Sequence, residues 1–124
     1  MSEIKFTIHG KVPSKSNCYK VITINGHGSL GKAKNLKDYE KSFFLQIPAS
    51  ARGLMIDRFM SVLIAIYYPS MRSDLDNGCK VILDCLQHGK VIKNDNLVTE
   101  IHLTKHIDKA NPRCEISIFP EMPF

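Results

Sequence analysis

The sequence predicts one α+β domain spanning residues 1–124, a mixed β-sheet with two main helices packed on one face, in the order β-β-α-β-α-β-β. Three observations carry that prediction. Segments near both ends of the chain alternate apolar and polar residues, the mark of half-buried strands. Two internal segments instead repeat their apolar residues at helical spacing. Finally, 124 residues with 44% hydrophobic and 23% charged content suit a single folded unit. A chain of this size buries roughly two-thirds of its unfolded surface and needs no disulfide or metal staple.

The elements follow in order. Ile4, Phe6 and Ile8 alternate with Lys5, Thr7 and His9 in a first strand, broken by Gly10-Lys11-Val12-Pro13-Ser14. Tyr19 to Ile24 reads as a second strand, closed by the turn pair Asn25-Gly26. Gly26 to Asn35 holds three glycines and two lysines without periodicity and reads as a mobile basic loop. A helix is expected from about Leu36 to Ile47, with Asn35 as its cap and the stripe Leu36, Tyr39, Phe43 and Ile47 facing the core. Ser61 to Tyr68 is strongly apolar and is expected at the centre of the sheet, ended by Pro69. A second helix is expected over Leu75 to Leu86, capped by Ser73 or Asp74 and stopped at His88-Gly89. Its core residues are Leu75, Cys79, Ile82, Leu83 and Leu86. Leu97 to Ile107 reads as a long strand with Ile101, Leu103 and Ile107 on one face and Glu100, His102, Thr104 and His106 on the other. Asn111-Pro112 turns the chain into a last strand, Cys114 to Phe119.

Charge is distributed unevenly. Residues 1–52 carry nine basic and three acidic groups, whereas 53–124 carry eight basic and nine acidic. The basic half suggests a polyanionic partner. The longest apolar run, Val62 to Tyr68, is too short to span a bilayer, and the N-terminus lacks the apolar core of a signal peptide. A cytoplasmic protein is therefore expected. Cys18, Cys79, Cys85 and Cys114 show no Cys-x-x-Cys spacing and are expected as free thiols.

The chemistry is concentrated in Arg72-Ser73-Asp74-Leu75-Asp76-Asn77-Gly78-Cys79-Lys80. Two carboxylates lie two residues apart where a strand gives way to a helix, and like charges so close call for a compensating cation. Hard divalent cations such as Mg²⁺ are bound in this way, through one or two carboxylates plus waters and phosphate oxygens. Lys80 lies one helical turn beyond Asp76, and a third carboxylate, Asp95, sits in the loop Lys93-Asn94-Asp95-Asn96. Three acids and a lysine suit phosphodiester hydrolysis. The same residues also fit a blander role, with Asp-x-Asp as a helix cap and Asp76-Lys80-Asp84 as a solvated ladder of weak ion pairs.

Asp74-Leu75-Asp76-Asn77-x-x-Lys80 followed by Leu83-Asp84 resembles the signature of the RusA-type Holliday junction resolvases. The resemblance extends to Val91-Ile92-Lys93-Asn94-Asp95, Val98 and Glu100, and to Pro13-Ser14, Tyr19-Lys20 and Tyr39. It implies a small homodimeric endodeoxyribonuclease of recombination and repair that nicks four-way DNA junctions symmetrically. Such enzymes need Mg²⁺ or Mn²⁺ and are commonly encoded by phages and prophages. It implies metal-binding carboxylates at Asp74, Asp76 and Asp95, and at Lys80 the catalytic lysine that stabilises phosphate charge. The sequence departs from the pattern at Asn94, where a second acid often stands, and in a basic run before the motif reduced here to Arg72.

Around these residues, Asn77 is expected to orient a carboxylate, Asp84 to orient Lys80, and Glu100 to add a further acid near the metal. Lys11, Lys15, Lys20, Lys32, Lys34, Lys37 and Arg72, with Ser14 and Asn17, are candidate phosphate contacts. His102 and His106 lack a nearby cysteine to complete a zinc site and read as polar surface. The competing readings are a non-catalytic phage DNA-binding accessory protein and a metal nuclease for flaps or forks.

Overall fold

A computed structural model describes residues 3–13, 19–24, 27–32, 34–73 and 75–121, with the backbone alone for 19–24 and 27–32. Among these residues six strands and two helices follow in order: β1 (Ile4–His9), β2 (Tyr19–Ile24), β3 (His27–Lys32), α1 (Lys34–Gln46), β4 (Met60–Tyr68), α2 (Leu75–His88), β5 (Val98–Ile107) and β6 (Arg113–Pro120). A 3₁₀ turn, Asp95–Leu97, leads into β5. The expected α+β class holds. Four strands form one mixed sheet in the order β1-β6-β4-β5.

β4 is central, as its uninterrupted apolar run predicted. It pairs antiparallel with β6 and parallel with β5, so that Ile64 lies between Ile116 and Leu103. Parallel neighbours cannot be joined by a tight hairpin and need a crossover. Here the crossover is α2, which carries the chain from the end of β4 back to the start of β5.

Alternation along β4 explains where the core lies. Met60, Val62, Ile64, Ile66 and Tyr68 are buried, whereas Leu63 on the opposite face is 40% exposed. The buried row meets Leu36, Tyr39 and Phe43 of α1 and Cys79, Ile82 and Leu86 of α2 in one hydrophobic cluster. The whole α1 stripe read from the sequence is buried, Ile47 just beyond the helix included. Tyr39 of α1 reaches Cys114 of β6, Oη to Sγ 3.6 Å. Burial pushes the Cys114 thiol up to about 12, and Cys79, Cys85 and Cys114 are buried and joined in no disulfide. Cys18 lies outside the described residues.

One segment departs from expectation. Residues 27–32, read as part of a mobile loop, form β3 and pair antiparallel with β2 from Ile24↔His27 to Tyr19↔Lys32. Gly28 and Gly31 and the lack of alternation hid the strand, because the sequence of 27–32 carries no period-two pattern to read. Asn25 and Gly26, the expected turn, lie outside the described residues. No helix among the described residues is long and apolar enough to cross a membrane.

Candidate active site

β4 ends at Tyr68, and the chain turns through 69–73 before entering α2 at Leu75. The N-terminus of α2 therefore stands at the carboxyl end of the central strand, where open α/β arrangements place ligands. Asp76 lies in the first helical turn, where the helix dipole favours a carboxylate. Close approach of α2 to the sheet is allowed by Gly78. A Cβ there would run into the Tyr68 hydroxyl and come within 3.1 Å of Ile66 Cδ1.

Between α2 and β5 runs a groove of about 590 Å³, lined by Asp76, Asn77, Cys79, Lys80, Leu83, Ile101 and Leu103. Its floor is apolar, and Asp76, Asn77 and Lys80 supply its polar groups. Asp76 and Lys80 are exposed, while Asn77 is half-buried. The Cys79 thiol is pushed up by burial, with Asp76 adding to the rise and Lys80 opposing it. A protonated thiol is neither a nucleophile nor a soft metal ligand, so the oxygen donors and the lysine carry the chemistry available here.

The other expected site residues are dispersed. Asp74 lies outside the described residues. Asp84 is half-buried one turn beyond Lys80, outside the groove lining. Asp95 begins the 3₁₀ turn, and its backbone N–H donates to Gln87 Oε1 at 2.9 Å, near the far end of α2. Gln87 lies eleven residues after Asp76, an axial rise of about 16 Å. Asn94 caps the same turn by accepting from the Asn96 N–H at 3.0 Å.

Glu100 is turned away from the groove of its own chain. Its carboxylate accepts from Ser61 Oγ at 3.3 Å and pairs with His102 Nε2 at 2.7 Å, on the sheet face opposite the groove. The bonds from His102 and Ser61 hold its carboxyl below the usual range. Ile101 and Leu103 face α2, so strand alternation turns Glu100 away from Asp76 and Lys80. His106 stacks on Tyr67 at 4.5 Å and meets Thr104 Oγ1 at 2.9 Å. Among the described residues, no three His, Cys, Asp or Glu side chains gather to hold a metal.

The basic candidates are exposed where they are described. Lys11 follows β1, Lys34 and Lys37 occupy the first turn of α1, and Arg72 sits in the loop before α2. Lys20 and Lys32 belong to the hairpin strands whose backbone alone is described, and Ser14, Lys15 and Asn17 lie outside the described residues.

One residue escaped the sequence reading. Lys105 stands on β5 in the row of Ile101, Leu103 and Ile107, and its Nζ donates to the carbonyls of Met71 and Ser73. A lone charge in an otherwise apolar strand row was the available signal.

Comparison with known proteins bears on the same segment. The profile of the family described as endodeoxyribonuclease RusA matches residues 19–119. The chain is 33% identical over 121 residues to a protein of Aquifex aeolicus (strain VF5) named crossover junction endodeoxyribonuclease RusA. The match covers 97% of this chain and 94% of the relative.

Proposed function

Because the chain belongs to the RusA family of endodeoxyribonucleases, we propose that it is a Mg²⁺-dependent, structure-specific endodeoxyribonuclease that resolves four-way DNA junctions. The observation that carries this reading is the placement of Asp76 and Lys80 together on an open groove at the N-terminus of α2.

The donor chemistry fits a hard divalent cation, since carboxylate oxygens are the ligands that Mg²⁺ and Mn²⁺ take while keeping waters and substrate phosphate oxygens. Asp74 and Asp76 would hold it, with Asp95 as the third carboxylate. When bound, the metal lowers the pKa of a coordinated water and draws charge from the phosphodiester. Lys80 places its ammonium beside the same phosphate and offsets the negative charge that develops on its oxygens. Asn77, half-buried between them, orients the carboxylate. The exposed lysines of the basic half contact the backbone of the DNA arms without reading sequence.

Two symmetric nicks call for two sites related by a dyad, and this chain has one acidic turn. A C₂ homodimer meets that need. It also accounts for Asp95. The Asp95 backbone is bonded to Gln87 near the far end of α2 from Asp76, and a second chain would bring its own Asp95 to the turn.

The reading predicts a substrate order. With Mg²⁺ present, a synthetic four-way junction should be nicked at least tenfold faster than a 5′ flap, and linear duplex should resist. Gel analysis of the three labelled substrates measures this. Equal rates on flap and junction would favour the flap or fork nuclease, and binding without any nicking would favour the accessory protein.

A further inference from the structure

β5 is an edge strand of the four-stranded sheet, yet its register is fixed along its whole length by β4, with Lys105 opposite Ile66. Lys105 is half-buried on the side of β5 that faces α2. Its ammonium donates to the Met71 carbonyl at 2.9 Å and to the Ser73 carbonyl at 2.6 Å, and stands 5.8 Å from the centre of the Tyr68 ring. Both carbonyls belong to the loop that leaves β4, and neither lies inside α2, which starts at Leu75. A backbone carbonyl with no helical partner needs another donor, and here one cation satisfies two of them.

The position of that loop matters because the next residue is Asp74, the first acid of the Asp-x-Asp pair. A lysine has three N–H donors and one compact charge. Two donors tie the loop to a strand whose place in the sheet is already set. The charge lies close to a turn that must hold two carboxylates, where like charges repel.

We propose that Lys105 is a positioning residue. It fastens loop 71–73 to β5 so that the acidic turn is held in one geometry, and it offsets the repulsion between the carboxylates that would take a divalent cation. The metal-binding half of this inference rests on the endonuclease reading above, whereas the fastening of the loop does not. Lys80 differs in role because it faces the groove that the phosphate would enter.

Lys105→Met keeps the aliphatic stem and removes the donors and the charge. Amide hydrogen exchange across residues 75–80 reads the fastening directly and should be faster in this variant, with Lys105→Arg restoring most of the protection. Mn²⁺ titration by calorimetry should show affinity lowered about tenfold or more, as for loss of a group that orients metal ligands. Junction affinity in EDTA should stay within about twofold of wild type, because a fastened loop is not a phosphate contact. Exchange and Mn²⁺ affinity both at wild-type levels would overturn the proposal, as would lost junction affinity with metal affinity unchanged. Lys105→Gln keeps the test open should the methionine variant not fold. Faster exchange is expected there too, and unchanged exchange overturns the proposal. If wild type nicks no junction while the exchange difference stands, the endonuclease reading fails and the fastening survives.

Discussion

Asp76→Asn is expected to keep junction affinity and to lose nicking by about 10³-fold. The substitution preserves shape and leaves an uncharged oxygen donor in the first turn of α2, so the fold should be untouched. What is lost is one carboxylate charge at the groove rim. Stabilisation of transition-state charge by a bound cation amounts to several kcal/mol, and each ~1.4 kcal/mol is a factor of ten in rate, so losing about 4 kcal/mol gives the stated effect. Binding should hold or tighten, because an uncompensated carboxylate facing phosphate is removed, and the gain should shrink as salt rises. Gel shifts in EDTA and nicking in Mg²⁺ measure the two effects separately. Nicking within tenfold of wild type would remove Asp76 from the metal site. The variant also tests where Asp95 acts. Mixed with Asp95→Asn, each protein inert alone, it should regain nicking if the two carboxylates meet across chains and stay inert if they meet within one.

Gly78→Ala is expected to destabilise the fold by about 1–3 kcal/mol, the usual cost of an added methyl in a packed interface. Its Cβ would meet the Tyr68 hydroxyl and Ile66 Cδ1. Tyr68 is 1% exposed and Ile66 fully buried, so neither can step aside into solvent. Relief must come from a shift of α2 away from β4. That shift carries Asp76 and Lys80 with it, and a misplacement of about 1 Å can lower a rate by about 10²-fold. Urea unfolding and the single-turnover nicking rate measure both consequences. Wild-type stability would mean that the Tyr68 ring turns without moving the helix.

Much of this architecture was legible because burial is periodic. Leu36, Tyr39, Phe43 and Ile47 announced α1, and the apolar run to Tyr68 announced a strand with neighbours on both sides. β3 was hidden because two glycines and a lack of alternation leave no side-chain signature, and its strand character comes from backbone pairing with β2. In the groove, the shared position of Asp76, Asn77 and Lys80 was legible because helical spacing and a strand-to-helix junction are local properties. The place of Glu100 relative to the groove was not legible for a specific reason. The sequence already put it on the face opposite Ile101 and Leu103, but which face α2 covers is set by tertiary packing. The docking of Asp95 beside Gln87 and the reach of Lys105 across to Ser73 are likewise long-range facts. No periodicity encodes them.

The uneven charge along the chain has a direct physical meaning in this account. Nine basic groups in the first 52 residues would hold a polyanion, and the later carboxylates would be neutralised by metal where that polyanion must approach. The most direct test uses a four-way junction with a different fluorophore on each of the two opposed strands, incubated with the wild-type protein in Mg²⁺ or in EDTA. Paired nicks at symmetry-related positions on both strands are expected in Mg²⁺, and intact strands in EDTA. Nicking that persists in EDTA, or a junction bound but left whole in Mg²⁺, would contradict it.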